Sequence, residues 1–95
     1  MIVSHPEEFK FLRFEKSRNK TKKYDALIQH VKTGKIKRVP FGMQGYAQYK
    51  DKTGLGLYSS LDHGDLKRRK NYRKRHFGED KHKFSSGYFS WKYMW

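Results

Sequence analysis

Residues 24–39 have the sequence YDALIQHVKTGKIKRV, which predicts a β-hairpin. Over 24–31, alternate positions fall on one face of a strand, and that face carries Tyr24, Ala26, Ile28 and His30. Gly34 lies in a four-residue polar segment, where a tight turn requires positive φ. Residues 36–39 then return as the second strand. Pro40 is predicted to end it, because proline is excluded from the middle of a central strand.

The segment before the hairpin predicts a further strand. Phe9 and Phe11 share one alternation, whereas Leu12 and Phe14 share the other. Such a switch indicates a bulge or burial on both faces. Residues 15–23 are polar and rich in lysine, which predicts a loop or a charged edge of the sheet.

The second half of the chain predicts two helices. Asp65 is a good N-cap, residues 66–77 contain no helix breaker, and Gly78 suits the helix C-terminus. Ser85 or Ser86 is expected to cap a short second helix. Three aromatic residues of that second segment follow helical spacing: Tyr88, Trp91 and Trp95.

These elements predict an α+β fold in which a small antiparallel β-sheet with a β-hairpin carries one basic helix and a short C-terminal aromatic helix. Residues 1–95 are expected to form a single small basic domain. Between the sheet and the basic helix, 41–49 predict a compact turn followed by one helical turn. Residues 50–64 contain glycines and serines that interrupt any periodicity, and predict a looser segment.

Charge and size exclude several classes of protein. The 95 residues include 23 Lys and Arg against 9 Asp and Glu, a formal net charge of +14. A chain of this length cannot bury a large enzyme core, and the positive charges repel one another in the compact state. We expect no enzyme activity, no cofactor and no small-molecule substrate. The N-terminal residues do not have the pattern of a signal peptide, and no stretch is apolar enough for a membrane span.

The predicted basic helix carries the strongest chemical signal. It concentrates seven cations in nine positions, and arginine binds phosphate or carboxylate through two parallel hydrogen bonds. We predict that these residues bind an anionic partner or nucleic acid; a solvated basic face is the alternative. The predicted site comprises Lys67, Arg68, Arg69, Lys70, Arg73, Lys74 and Arg75.

The aromatic residues suit either a core or base stacking. A small domain needs such side chains inside, so the core is the preferred interpretation for six of them: Phe9, Phe11, Tyr24, Phe41, Tyr46 and Trp91. Trp91 and Trp95 are predicted anchors, either of the core or of a partner protein. We expect Trp91 to face the sheet and Trp95 to contact a neighbouring subunit.

No residue pattern indicates a metal site or a catalytic group. Asp62, His63 and Asp65, with His76, offer ligand types, but their spacing fits no zinc or nuclease signature. Asp65 is better explained as a helix cap. There is no cysteine, and no serine lies in a recognisable nucleophile turn.

Several short blocks, in order, resemble a family of small basic proteins encoded by nucleo-cytoplasmic large DNA viruses of algae and protists. The resemblance covers about residues 22–95, with 52–64 as an apparent insertion. That family has no assigned function, so the resemblance implies a viral origin and no catalytic residue. The matching blocks are Lys23-Tyr24-Asp25-Ala26, Phe41-Gly42, Gly45-Tyr46, Tyr49-Lys50-Asp51, the basic run from Lys67 to His76, and the aromatic segment from Ser85 to Trp95.

Two functions are therefore expected. The first is a minor capsid or other structural virion protein, bound to other capsid or virion proteins and stabilised by them. Its cations would contact acidic proteins or an anionic membrane surface. The alternative is a protein that condenses or escorts the viral genome through non-specific phosphate contacts. Either function places the protein in the virion, and in the host cytoplasm or nucleus during assembly.

Overall fold

The computed structural model describes residues 3–95 and contains a three-stranded antiparallel sheet and two α-helices. The strands are ordered β1-β2-β3, so that each strand pairs with its neighbour in sequence. The predicted α+β fold is confirmed. The elements are β1 (Phe9–Lys16), β2 (Lys22–His30), β3 (Ile36–Met43), α1 (Leu66–Arg75) and α2 (Ser86–Tyr93), with 3₁₀ helices at Pro6–Glu8, Ser59–Leu61 and Glu79–Lys81.

β2 and β3 form the predicted hairpin. Ala26 lies opposite Val39, and Gly34 takes a φ of +74° in the turn. The predicted end at Pro40 is wrong, because β3 continues to Met43 with Pro40 opposite Asp25. β3 is an edge strand, so the missing N–H of a proline can point away from the sheet. The helical turn predicted within 41–49 is also not formed.

β1 contains the irregularity that its sequence predicts. The register with β2 shifts between Phe11 and Arg13, which is where the alternation of apolar residues changes. After the shift, Phe14 packs against Phe41 and Tyr93, with ring centroids 5.6 and 4.7 Å apart. β1 continues to Lys16 and β2 begins at Lys22, so the loop is shorter than the predicted 15–23.

The core lies between one face of the sheet and α2. Phe89 is 1% exposed, and its ring lies 5.6 Å from that of Phe41 and 5.9 Å from that of Phe84. Tyr46, predicted for the core, is 67% exposed. The buried apolar cluster comprises Val3, Tyr24, Ala26, Ile28, Val39, Phe41, Phe84, Phe89 and Met94.

Both helices begin at the predicted caps. The Asp65 carboxylate accepts hydrogen bonds from the backbone N–H groups of Lys67 and Arg68, and the Ser85 hydroxyl accepts from Tyr88 N–H. α1 ends at Arg75, two residues earlier than predicted. Its ten residues span about 15 Å, and none of them is buried.

Candidate anion-binding surface

Five of the seven predicted cations project from α1 into solvent. At 3.6 residues per turn they cover roughly 160° of the helix circumference. Among residues 3–95, no carboxylate side chain lies within 4.0 Å of an ammonium or guanidinium nitrogen of these five residues, since the ion pairs of that part of the chain involve other residues. The positive charge of this surface is therefore not neutralised by side chains of the described chain. The exposed cations are Lys67, Arg68, Lys70, Lys74 and Arg75.

The other two predicted cations attach α1 to the protein. Arg69 Nε donates to the main-chain oxygen of Trp95 at 2.6 Å, and Arg73 Nη2 donates to the same oxygen at 3.2 Å. Their guanidinium groups also lie over aromatic rings, Arg69 at 5.0 Å from Tyr49 and Arg73 at 4.8 Å from Trp91. Burial, with repulsion from Arg69, lowers the pKa of Arg73. Both residues thus position the helix instead of facing an external anion.

Stacked rings complete the attachment of α1. The Tyr72 ring lies 4.1 Å from that of His76 and 4.3 Å from that of Trp95, nearly parallel to the latter. The Tyr72 hydroxyl is 3.0 Å from Ser90 Oγ of α2. The contacts of Tyr72 with Trp95 and Ser90 fix the orientation of the helix.

The two tryptophans differ from their predicted roles. Trp95, expected at a subunit interface, packs on the domain itself through Tyr72 and the core cluster. Trp91, expected to face the sheet, is half-buried beneath Arg73 and lies outside that cluster. Tyr88, Phe89, Trp91 and Tyr93 spread over roughly 200° of the circumference of α2, so that helical spacing alone cannot select the buried side. Phe89 occupies the position that the sequence assigned to Trp91.

A groove separates α1 from the edge of the sheet. Its volume is about 540 Å³, and Phe41, Gly42 and Met94 contribute apolar surface to its lining. Two residues from outside the helices also line it, Lys22 at the start of β2 and Tyr46 after β3. Lys22 belongs to the lysine-rich segment 15–23, and Tyr46 was predicted for the core, so the sequence analysis assigned neither of them to the binding site.

The other wall of the groove comes from α1. Arg68 and Arg75, which are seven residues apart, both line it. With Lys22 and the buried Lys23, the lining contains four cations against one carboxylate, that of Glu79. Glu79 Oε1 lies 2.8 Å from His76 Nδ1. The groove is therefore positively charged.

A network of buried polar side chains holds the segment after β3 that lines this groove. Lys23 Nζ donates to the Tyr46 carbonyl and to Gln48 Oε1, and Gln48 Nε2 donates to Asp62 Oδ1 at 2.6 Å. Burial lowers the pKa of Lys23, although Asp51 and Asp62 oppose the shift. Buried polar groups without partners are costly, so this satisfied network holds the segment after β3 in one position.

The residues considered as metal ligands have other partners. Asp62 accepts from Gln48 and from the Asp51 backbone N–H, and Asp65 caps α1. His63 Nδ1 accepts from the Asp65 N–H at 2.9 Å. Burial and the nearby Arg68 lower the pKa of His63. Within residues 3–95, no three His, Cys, Asp or Glu side chains converge as a metal site would require.

Within the same range, no helix has the length and apolar character to cross a membrane. No protein-family model, no curated protein and no solved structure matches this chain.

Proposed function

We propose that this protein binds nucleic acid without sequence specificity, through the phosphate backbone. The observation that carries the proposal is the set of five exposed α1 cations, which have no carboxylate partner among residues 3–95. Neutralising phosphates releases condensed counterions, which favours binding to any sequence. No enzymatic step is part of the proposal.

The composition of the exposed α1 surface favours phosphate over an acidic protein as the ligand. Protein interfaces have an apolar and aromatic centre and are depleted of lysine. The exposed arc of α1 is dominated by lysine and arginine, with Asn71 between them and Leu66 at one end. The aromatic residues that were candidate partner anchors instead attach α1 to its own domain.

A function as a minor capsid protein, and the viral origin that the resemblance implies, stay predictions. They are compatible with nucleic-acid binding inside a virion. The structure offers no separate support for a capsid contact, because Trp95 packs internally.

The test is binding of two fluorescent duplexes of unrelated sequence, followed by anisotropy as the salt concentration rises. Equal affinities are expected, with log K falling against log salt by about 0.9 per phosphate neutralised. The triple variant Lys67→Gln, Lys70→Gln, Lys74→Gln should weaken binding to both duplexes and reduce the slope by about one per lysine.

The matched control removes three exposed lysines of the sheet and its hairpin turn instead: Lys10→Gln, Lys32→Gln, Lys35→Gln. This control changes the net charge by the same amount but leaves α1 unaltered. If α1 is the binding surface, the control should therefore weaken binding less than the α1 triple variant does. Equal losses in both triple variants would show that only net charge matters. Tighter binding to polyglutamate than to either duplex would favour an acidic protein and contradict the proposal.

A further inference from the structure

Tyr46 lines the groove and exposes its aromatic ring to solvent. The Tyr46 side chain is 67% exposed and makes no ring–ring contact among the described residues. Its backbone is nevertheless fixed, because the buried Lys23 donates to the Tyr46 carbonyl. Two residues earlier, Gln44 N–H donates to the Thr21 carbonyl at 2.9 Å and Gln44 Nε2 to Tyr58 Oη at 2.8 Å. These hydrogen bonds hold the turn, while most of the Tyr46 side chain stays exposed.

The opposite wall presents cations at a regular spacing. Arg68 and Arg75 lie two helical turns apart, about 10.5 Å along the axis, and both line the groove. Guanidinium groups bind phosphate through paired hydrogen bonds. Lys22 adds a third cation at the sheet side, whereas the one carboxylate of the lining is engaged with His76. An anionic ligand is thus favoured over a cationic or neutral one.

The groove combines these charges with an open aromatic face and partly apolar walls. Its volume of about 540 Å³ lies within the range of pockets that enclose small organic ligands. A ligand that carries both phosphate and a flat ring matches each of these features. In a duplex, the base faces are covered by stacking, whereas an unpaired base offers its face to an aromatic side chain.

We propose that the groove binds single-stranded nucleic acid, with an unpaired base stacked on Tyr46 and the flanking phosphates on Arg68 and Arg75. This inference rests on the proposed function and assigns it a preferred substrate. The cations on the solvent-facing side of α1 would bind the phosphates of any nucleic acid. The residues that line the groove would add contacts that only an unpaired strand can make.

The experiment compares an oligothymidine of about 12 nucleotides with an abasic strand of the same length and charge. Tyr46→Ala should weaken binding of oligothymidine by roughly 5- to 150-fold, the equivalent of one stacked base. Binding of the abasic strand should not change. Tyr46→Phe, which keeps the ring, should bind both strands like the unaltered protein.

Phe77→Ala is the matched aromatic control. Phe77 is 80% exposed and lies outside the groove lining, so its loss should affect neither strand. A circular dichroism spectrum and a thermal transition like those of the unaltered protein would confirm that Tyr46→Ala folds.

The two arginines of the groove wall have a control with the same spacing. Arg68→Gln with Arg75→Gln should reduce oligothymidine binding more than Lys67→Gln with Lys74→Gln, because the lysine pair points away from the groove. For a duplex, the two double variants should lose similar affinity. Their difference on single strands measures the contribution of the groove itself.

The possible failures are distinguishable. Unchanged oligothymidine affinity in Tyr46→Ala would overturn the groove proposal, while loss of binding in the α1 lysine variants would still support the proposed function. An equal effect of Tyr46→Ala on both strands would also overturn it, since no base would be involved. If neither nucleic acid binds at about 50 mM salt, the proposed function fails first.

Discussion

The two α-helices of this protein are held by different interactions. α2 buries Phe89 and is followed by the buried Met94, so the sheet and α2 share one apolar core. α1 buries no residue and is attached through stacked rings and guanidinium contacts to the C-terminal segment. Apolar burial is the dominant favourable contribution to folding. The sheet and α2 therefore form one structural unit with a shared apolar core, whereas α1 is attached to the surface of that unit.

This difference has a functional consequence. A basic helix that met the sheet through a broad apolar face would have fewer positions left for exposed cations. Because α1 is attached mainly through Arg69, Tyr72 and Arg73, most of the remaining circumference is left to lysine and arginine. Elements attached by few buried contacts open at low free-energy cost. We therefore expect α1 to lose its structure before the sheet does.

The largest expected effect is that of Phe89→Ala. Truncating a fully buried phenylalanine typically costs about 3–5 kcal/mol, while the unfolding free energy of a domain of this size is about 5–14 kcal/mol. Urea denaturation should show a large fall in the midpoint, or no folded state. Trp91→Ala, which removes a larger but half-buried ring, should cost less. A Trp91→Ala variant at least as destabilised as Phe89→Ala would invalidate the comparison between core and surface.

Tyr24→Phe tests the polar part of the structural unit. The Tyr24 hydroxyl donates to Asp51 Oδ2 and accepts from the Leu57 N–H, joining the sheet to the long segment before α1. Its removal leaves those groups without their partner and should cost about 1–3 kcal/mol. Denaturant midpoints at neutral pH measure the loss, and Tyr46→Phe is the exposed control. Equal stability of the two variants would contradict the structural role of this network.

The same hydroxyl gives a dependence on pH. Burial, together with the hydrogen bond to Asp51, raises the pKa of Tyr24 from 10.0 to about 12. The folded state therefore retains a proton that the unfolded state loses, so this contribution is full below pH 10 and disappears as the pH rises toward 12. Because lysines titrate in the same range, the measured quantity is the stability difference from Tyr24→Phe. That difference should shrink above pH 10.

The sheet was predictable because its signals are local. Gly34 marks the hairpin turn, the change of alternation after Phe11 marks the bulge, and Asp65 and Ser85 mark the helix starts. Pro40 misled the prediction, because the sequence does not reveal that β3 is an edge strand. The buried side of α2 was also not predictable. Its aromatic residues spread over more than half of the helix circumference, and only the packing of Phe89 against Phe41 selects one side.

The candidate site was predictable in charge but not in geometry. All seven cations of α1 are apparent in the sequence, and helical spacing places Arg69 and Arg73 on one stripe with Tyr72. What the sequence does not show is that this stripe contacts Trp95, which is a tertiary contact. Lys22 and Tyr46 reach the groove from a distant part of the chain. Their residue types are apparent in the sequence, but no local pattern places them beside α1. Only the folded structure shows that they line the groove.

Asp65→Ala should destabilise α1 and leave the sheet intact. The carboxylate accepts from two backbone N–H groups of the first turn, and loss of such a cap costs about 1 kcal/mol. Hydrogen exchange should accelerate in α1 amides, while β2 amides keep their protection. A uniform acceleration across both elements would mean that α1 unfolds together with the sheet, contrary to the comparison above.

The smallest expected effect is a gain of stability. Lys70 has like-charged neighbours at three and four positions along α1, namely Lys67, Arg73 and Lys74, and each such pair on a helix is destabilising by a few tenths of a kcal/mol. Lys70→Glu converts these repulsions into attractions, with the glutamate N-terminal to Lys74 in the favourable order. Slower hydrogen exchange in α1 should report a gain of about 0.5–1 kcal/mol, and Lys70→Gln should give a smaller gain.

Lys70→Glu should also weaken nucleic-acid binding, because it places a negative charge within the phosphate-facing surface. Faster hydrogen exchange in α1, or tighter binding of nucleic acid, would contradict this picture. It would mean that the cations of α1 do not repel one another and are not free to bind phosphate, as the proposed function requires.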